Sequence, residues 1–117
     1  MGNIAVEKSM EFAVRIVRLY RHLSDEKKEY VLSKQLLRSG TSIGTNLREA
    51  TLAQTKKEFI SKTQIALKEA GETQYWLELM YRTELLSEKE YGSIISDSNE
   101  LLGLLTSTLK TAKANLQ

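Results

Sequence analysis

Glu69 and Glu72 lie three residues apart in a helical pattern, and Arg38 borders an apolar stripe on another. Carboxylates on facing helices are the raw material of di-iron sites, which also need Glu-x-x-His motifs. No Glu in this chain has a His three residues later, and the single His22 sits beside Arg18 and Arg21. With no cysteine, thiolate metal sites and disulfides are excluded. No spacing orders a Ser near His22, so a nucleophile triad is not indicated. Gly40 and Gly44 lack the strand and the Lys that a phosphate loop requires. The residues therefore predict a non-enzymatic protein with no catalytic, cofactor-binding or metal site.

An unpaired buried carboxylate is costly, so Glu69 and Glu72 need a partner if they are buried. Arg38 is the natural one. Gln35, Ser42, Asn46 and Glu49 share its polar stripe and complete a structural polar network that would set helix register or subunit docking. The alternative for this cluster is an anion or ligand pocket at Arg38. Tyr75, Trp76 and Tyr81 could stack nucleic-acid bases, but Trp76 follows the line of Ile65 and Leu79, which favours packing. The best basic groups are Arg15, Arg18, Arg21, Lys34, Arg48, Lys56 and Lys57. Side by side in an assembly they would form a phosphate-binding surface, driven by charge rather than base identity.

Four helices must position these groups. The first covers roughly 4–23, with one apolar line at Met10, Val14, Val17 and Tyr20 and a second at Phe12, Ile16, Leu19 and Leu23. That arc is wider than a lone surface helix needs. The second runs from about Tyr30 to Leu52, with Leu32, Leu36, Ser39, Ile43, Leu47 and Ala50 at spacings of three and four. Its middle is unusually small: Ser39, Gly40, Thr41, Ser42, Gly44 and Thr45. Each interior Gly costs a helix about 1 kcal/mol relative to Ala, and close backbone approach is the usual return. Thr55 with Glu58 forms a capping box opening the third helix, about 56–83. Its core line is Phe59, Thr63, Ala66, Ala70, Thr73, Leu77 and Met80. Ser87 with Glu90 forms a second box ahead of the fourth helix, which carries Tyr91, Ile94, Ile95, Ser98, Leu101, Leu102, Leu105, Leu109, Ala112 and Leu116.

Four helices with short connections predict an all-α, antiparallel, up-down-up-down four-helix bundle. Proline is absent, which fits long uninterrupted helices. A length of 117 residues predicts one domain, 1–117. No apolar run of about 18 residues predicts a membrane span, and the chain reads as cytoplasmic. The net charge of +2 is uneven: residues 1–58 carry +4 and residues 59–117 carry −2. Long helices with wide apolar faces suggest burial on more than one side, hence a homo-oligomer.

Two blocks resemble a known bacterial family. They are QLLRSGTSIGTNLREA at 35–50 and EFISKTQIALKEAGETQYWLELM at 58–80. The chain is similar to the four-helix-bundle proteins of the S23 group, encoded in intervening sequences of 23S ribosomal RNA genes or as free-standing genes. Related to them is the accessory variability determinant protein of diversity-generating retroelements. The resemblance rests on Gln35, Leu36, Arg38, Ser39, Ser42, Ile43, Asn46 and Glu49, and on Phe59, Ala66, Glu69, Ala70, Glu72, Trp76 and Leu77. Ala50 stands where many members have Gly, and Gly71 where relatives often have Asn. The resemblance implies a ring-like homopentamer without catalytic activity, and its retroelement branch implies RNA or DNA and a reverse transcriptase as partners. Three functions compete. The leading one is an oligomeric scaffold binding nucleic acid or a nucleic-acid enzyme through basic helix faces. The second is a structural or protein-interaction bundle without nucleic-acid affinity. The third is an enzyme or ligand-binding bundle using Arg38, Glu69 and Glu72.

Overall fold

The computed structural model describes residues 2–116, with side chains from Ile4 to Leu116. Four helices follow in order: α1 (Gly2–Asp25), α2 (Leu32–Thr51), α3 (Lys56–Arg82) and α4 (Glu88–Leu116). Each packs on the next, and α4 returns to α1, closing an up-down-up-down antiparallel bundle. The long axis measures 49 Å. That matches the roughly 44 Å expected of a 29-residue helix at 1.5 Å per residue. No helix among the described residues is long and apolar enough to cross a membrane.

The helix starts show how local chemistry sets the boundaries. Thr55 Oγ1 accepts the Glu58 N–H at 3.0 Å, and the Glu58 carboxylate accepts from Gln54 N–H at 2.8 Å. Ser87 and Glu90 cap reciprocally, at 3.1 and 2.8 Å. Helix α2 begins at Leu32, the first residue of its apolar line and two residues after the expected Tyr30, with Glu29 capping its first turn. The Glu29 carboxylate accepts N–H bonds from Val31, Leu32 and Ser33 at 3.1, 3.0 and 2.8 Å. One carboxylate thus satisfies three of the four N–H groups a helix start leaves open. Burial pushes the Glu29 carboxyl up, but the N–H bonds from Leu32, Ser33 and Val31 together bring it below its ordinary 4.5.

The core runs along one line per helix: Phe12, Ile16 and Leu23; Leu36, Ile43 and Leu47; Ala66, Ala70, Leu77 and Met80; Leu101 and Leu105. One sequence expectation shifts, and packing sorts out two others. Ile60 is buried in place of Phe59, which is half-buried. On α1 the Phe12–Ile16–Leu23 line is buried, whereas Met10 and Val14 are 47% and 40% exposed. Trp76 packs from the edge of the core, half-buried.

Small residues let α2 lie close to both neighbours. Gly40 is buried, and a Cβ built there would sit 2.8 Å from both Cγ1 and Cγ2 of Ile16. One residue earlier, Ser39 Oγ lies 2.9 Å from Thr73 Oγ1 on α3. The buried hydroxyls cost little, because Thr63, Thr73 and Ser33 donate to carbonyls one turn back in the chain. Among the described residues no buried side-chain nitrogen or oxygen lacks a partner.

Two predictions follow from these contacts. Gly40→Ala should lower stability by about 1–3 kcal/mol, since Ile16 is fully buried and must be displaced. Gly103→Ala, where a Cβ meets nothing within 4 Å, should raise it by about 0.5–1 kcal/mol. Thermal melts that move the two variants in the same direction would contradict this account. Glu29→Ala should cost about 1–2 kcal/mol at neutral pH, the upper range of a lost cap. Folding lowers the Glu29 pKa, so its contribution is complete above the ordinary 4.5 and drains as pH falls through the folded value. Urea titrations across that window should show a shallower acid loss in Glu29→Ala than in the parent.

Candidate interaction site

The residues with chemical potential fall on three surfaces. The first lies along α2 and α3. Arg38 forks between two carboxylates: Nη1 donates to Glu69 Oε2 at 3.2 Å, and Nη2 donates to Glu72. Glu72 also accepts from Trp76 Nε1 at 3.1 Å. Tyr75 stands edge-on to Trp76 with ring centroids 5.0 Å apart. The hydrogen bond from Arg38, then that from Trp76, holds the Glu72 carboxyl below its ordinary range; Glu72 and Glu69 raise Arg38.

The rest of the expected polar layer divides into separate pieces. Ser42 Oγ donates to Arg38 O at 2.7 Å, and Asn46 Nδ2 to Ser42 O at 2.8 Å, both within α2. Glu49 pairs with Lys62 at 2.8 Å. Gln35 is exposed and makes no side-chain hydrogen bond among the described residues. The Arg38 side chain is 48% exposed, so the cluster sits at the surface of the monomer. An arginine fork with a tryptophan beside it can orient a partner or clamp a carboxylate. Among the described residues no group of three or more His, Asp and Glu is placed to hold a metal.

The second surface is the outward side of α1, where it meets α2. Val6, Met10 and Ala13 with Thr41, Gly44, Thr45 and Arg48 line a trough of about 260 Å³. It continues into one of about 340 Å³ past Val14 and Val17 to Arg18 and Arg21. The result is an apolar stripe with arginines at both ends.

The third is the seam between α1 and α4, where packing is thinnest. Arg15 is engaged there: it donates to Asp97 Oδ2 at 2.7 Å and to Ser93 Oγ at 3.0 Å. His22 Nδ1 lies 2.6 Å from Glu26 and Nε2 3.9 Å from Glu90. The Ser87 backbone N–H, outweighing burial, keeps the Glu90 carboxyl low, with help from the Ser87 hydroxyl and the charges of His22 and Lys27. No local sequence pattern marks this seam, although Asp97 stands on α4 at the level of Arg15.

The seven basic residues therefore do not gather into one patch. Arg15, Arg18 and Arg21 lie on the outgoing length of α1, and Lys34 opens α2 near its far end. Arg48, Lys56 and Lys57 sit at the opposite end of the bundle, where Lys56 Nζ donates to Asn115 O at 3.3 Å. Arg18, Arg21, Lys34, Arg48 and Lys57 are exposed and make no ion pair among the described residues.

Arg38→Gln should lower monomer stability by no more than about 1 kcal/mol, the scale of an exposed ion pair. The loss should shrink in about 1 M salt, where the Debye length is near 3 Å. A loss several times larger, insensitive to salt, would mean that the fork is buried in the native assembly.

This geometry can be set beside known proteins. No curated protein matches the chain. A family model described as 23S rRNA-intervening sequence protein matches residues 2–107. Among solved structures, the chain is similar to a protein of unknown function from the S23 ribosomal protein family of Bacteroides thetaiotaomicron. The two share 58% identity over 93% of this chain and 97% of that one, with a TM-score of 0.92. The bundle, its small-residue α2 and the Arg38 fork thus belong to a member of the 23S rRNA-intervening sequence protein family.

Proposed function

We propose that the chain is a one-domain, non-enzymatic scaffold that self-associates through its outer helix faces. The observation that carries this reading is the uncovered apolar stripe of α1, with Met10 and Val14 47% and 40% exposed on a helix whose other face already fills the core. A second uncovered apolar face lies on α3, where Tyr75 is 59% exposed beside Trp76 and Leu79. Burying apolar surface stabilises by about 25 cal/mol per Å², so the two faces offer a driving force that the monomer leaves unused. The S23 resemblance favours five subunits. Light scattering should return a multiple of the 13.3 kDa chain mass at micromolar concentration. Val14→Glu should reduce it to the monomer with the helical circular dichroism intact. A monomeric parent would refute self-association.

The second reading is nucleic-acid contact, directly or beside a nucleic-acid enzyme such as a reverse transcriptase. It draws support from Arg18, Arg21, Lys34, Arg48 and Lys57, exposed cations that make no ion pair among the described residues. Their dispersal makes single-chain affinity weak. A symmetric assembly would repeat each cation and raise avidity. Gel shifts at about 50 mM salt should show binding that is indifferent to sequence and lost steeply by about 200 mM, as counterion release requires. Arg18→Glu with Arg21→Glu should weaken DNA and RNA alike. An assembled protein with no shift at the lower salt would leave a protein-interaction bundle as the function.

A further inference from the structure

The α1–α4 seam opens into a groove of about 450 Å³. That volume lies within the roughly 300–1,000 Å³ of small-molecule sites. Its floor is apolar, made by Leu19 of α1, Leu86 before α4 and Ile94 of α4. Leu86 and Ile94 are core residues, so this floor is a firm part of the bundle. Arg18 and Lys89 stand on the rim, one from each helix.

The charges around the groove differ in availability. Arg15 is bound to Asp97 and Ser93. His22 is held by Glu26, and the Glu90 carboxylate accepts the Ser87 N–H of its own helix cap. Arg18 and Lys89 make neither an ion pair nor a side-chain hydrogen bond among the described residues. The one acidic lining residue is thus committed to its cap, while two cations face the trough unengaged.

We propose that this groove is a binding site for a small amphiphilic anion, its apolar body on Leu19, Leu86 and Ile94 and its anionic head between Arg18 and Lys89. Size argues against a partner helix. The groove spans Arg15 to His22 on α1, about 11 Å at 1.5 Å per residue, or two turns against the three to four of an ordinary helix. Chemistry argues against a purely apolar ligand, which would leave two cations beside it with their hydration disturbed and no counter-charge. An inorganic anion alone would leave the apolar floor wet. A carboxylate on a short hydrocarbon satisfies both surfaces at once, since guanidinium and ammonium groups each donate to carboxylate oxygens.

The test uses the full chain with octanoate as probe, 1-octanol as its uncharged counterpart and acetate as its headgroup alone. Chemical-shift mapping should show saturable octanoate shifts confined to residues 15–22 and 86–94, with acetate producing none and octanol far weaker ones. Arg18→Glu and Lys89→Glu should each weaken octanoate at least tenfold. Arg48→Glu, at the other end of the bundle, should leave it unchanged. Both charged variants alter exposed rim residues, and unchanged circular dichroism shows that they fold. The proposal is overturned if octanol binds as well as octanoate, if shifts spread over the Met10–Val14 stripe instead, or if nothing saturates by about 10 mM, tenfold weaker than a millimolar contact. The result is independent of chain mass, so it stands apart from self-association.

Discussion

The close contact of α2 with both its neighbours is the constraint on which the rest depends. Gly40 admits Ile16 of α1 on one side, and Ser39 meets Thr73 of α3 on the other. Two successive residues therefore bring three helices together at one level. At that level α3 meets α2 with small side chains, Ala66, Ala70 and Thr73. Towards α4 the space is filled by Leu77, Met80, Leu101 and Leu105. The bundle is drawn tight around α2 and is thinnest at the α1–α4 seam, where the groove opens.

Charge follows the same asymmetry. The α2–α3 side is laced by Arg38 with Glu69 and Glu72, and by Lys62 with Glu49. Across the looser seam, Lys8, Arg15 and His22 reach for Glu100, Asp97 and Glu90. Exposed pairs of this kind contribute at most about 1 kcal/mol each, so they select the register of helices that apolar packing already holds. What they leave over is more informative. Of the cations without an ion pair among the described residues, Arg18, Arg21 and Arg48 border the uncovered apolar stripe of α1, and a partner meeting that face meets both.

Much of the fold was legible in the sequence, for reasons specific to particular residues. The lines through Leu36, Ile43 and Leu47, and through Thr63, Ala70 and Leu77, keep a strict helical period because they face a core on one side only. Thr55 and Ser87 announce helix starts because their side chains perform the cap themselves. The start of α2 was not legible, since its cap is a glutamate three residues before the helix, reaching forward to the N–H groups of residues 31–33 after a turn with Lys28 at φ 57°. Glu84 likewise ends α3 in the left-handed region at φ 67°, a place where glycine is the usual signal. On α1 two apolar lines look equivalent in sequence. Only the packing distinguishes the buried Phe12 and Ile16 from Met10 and Val14, which stay 47% and 40% exposed. The candidate surfaces divide in the same way. Arg38 could be matched to Glu69 and Glu72 because α2 and α3 form a hairpin about residues 52–55, and residues equally distant from that turn meet. The α1–α4 groove joins elements far apart in sequence, and no local pattern marks it.

Close helix packing also shapes the polar groups of the interior. A bundle that hosts a reaction must leave polar side chains facing one another inside. Here the interior polar groups are serine and threonine hydroxyls, nearly all spent on their own helix carbonyls. Their role is to be small, which allows close backbones, and to be satisfied, which makes the closeness affordable. Reactive and charged groups are consequently displaced to the outside, where they meet solvent or another molecule. In such a fold, specificity has to reside in surfaces: an arginine fork beside a tryptophan, an apolar stripe between arginines, and a groove with two free cations. Each of these lies at the surface, where the proposed scaffold would make its contacts.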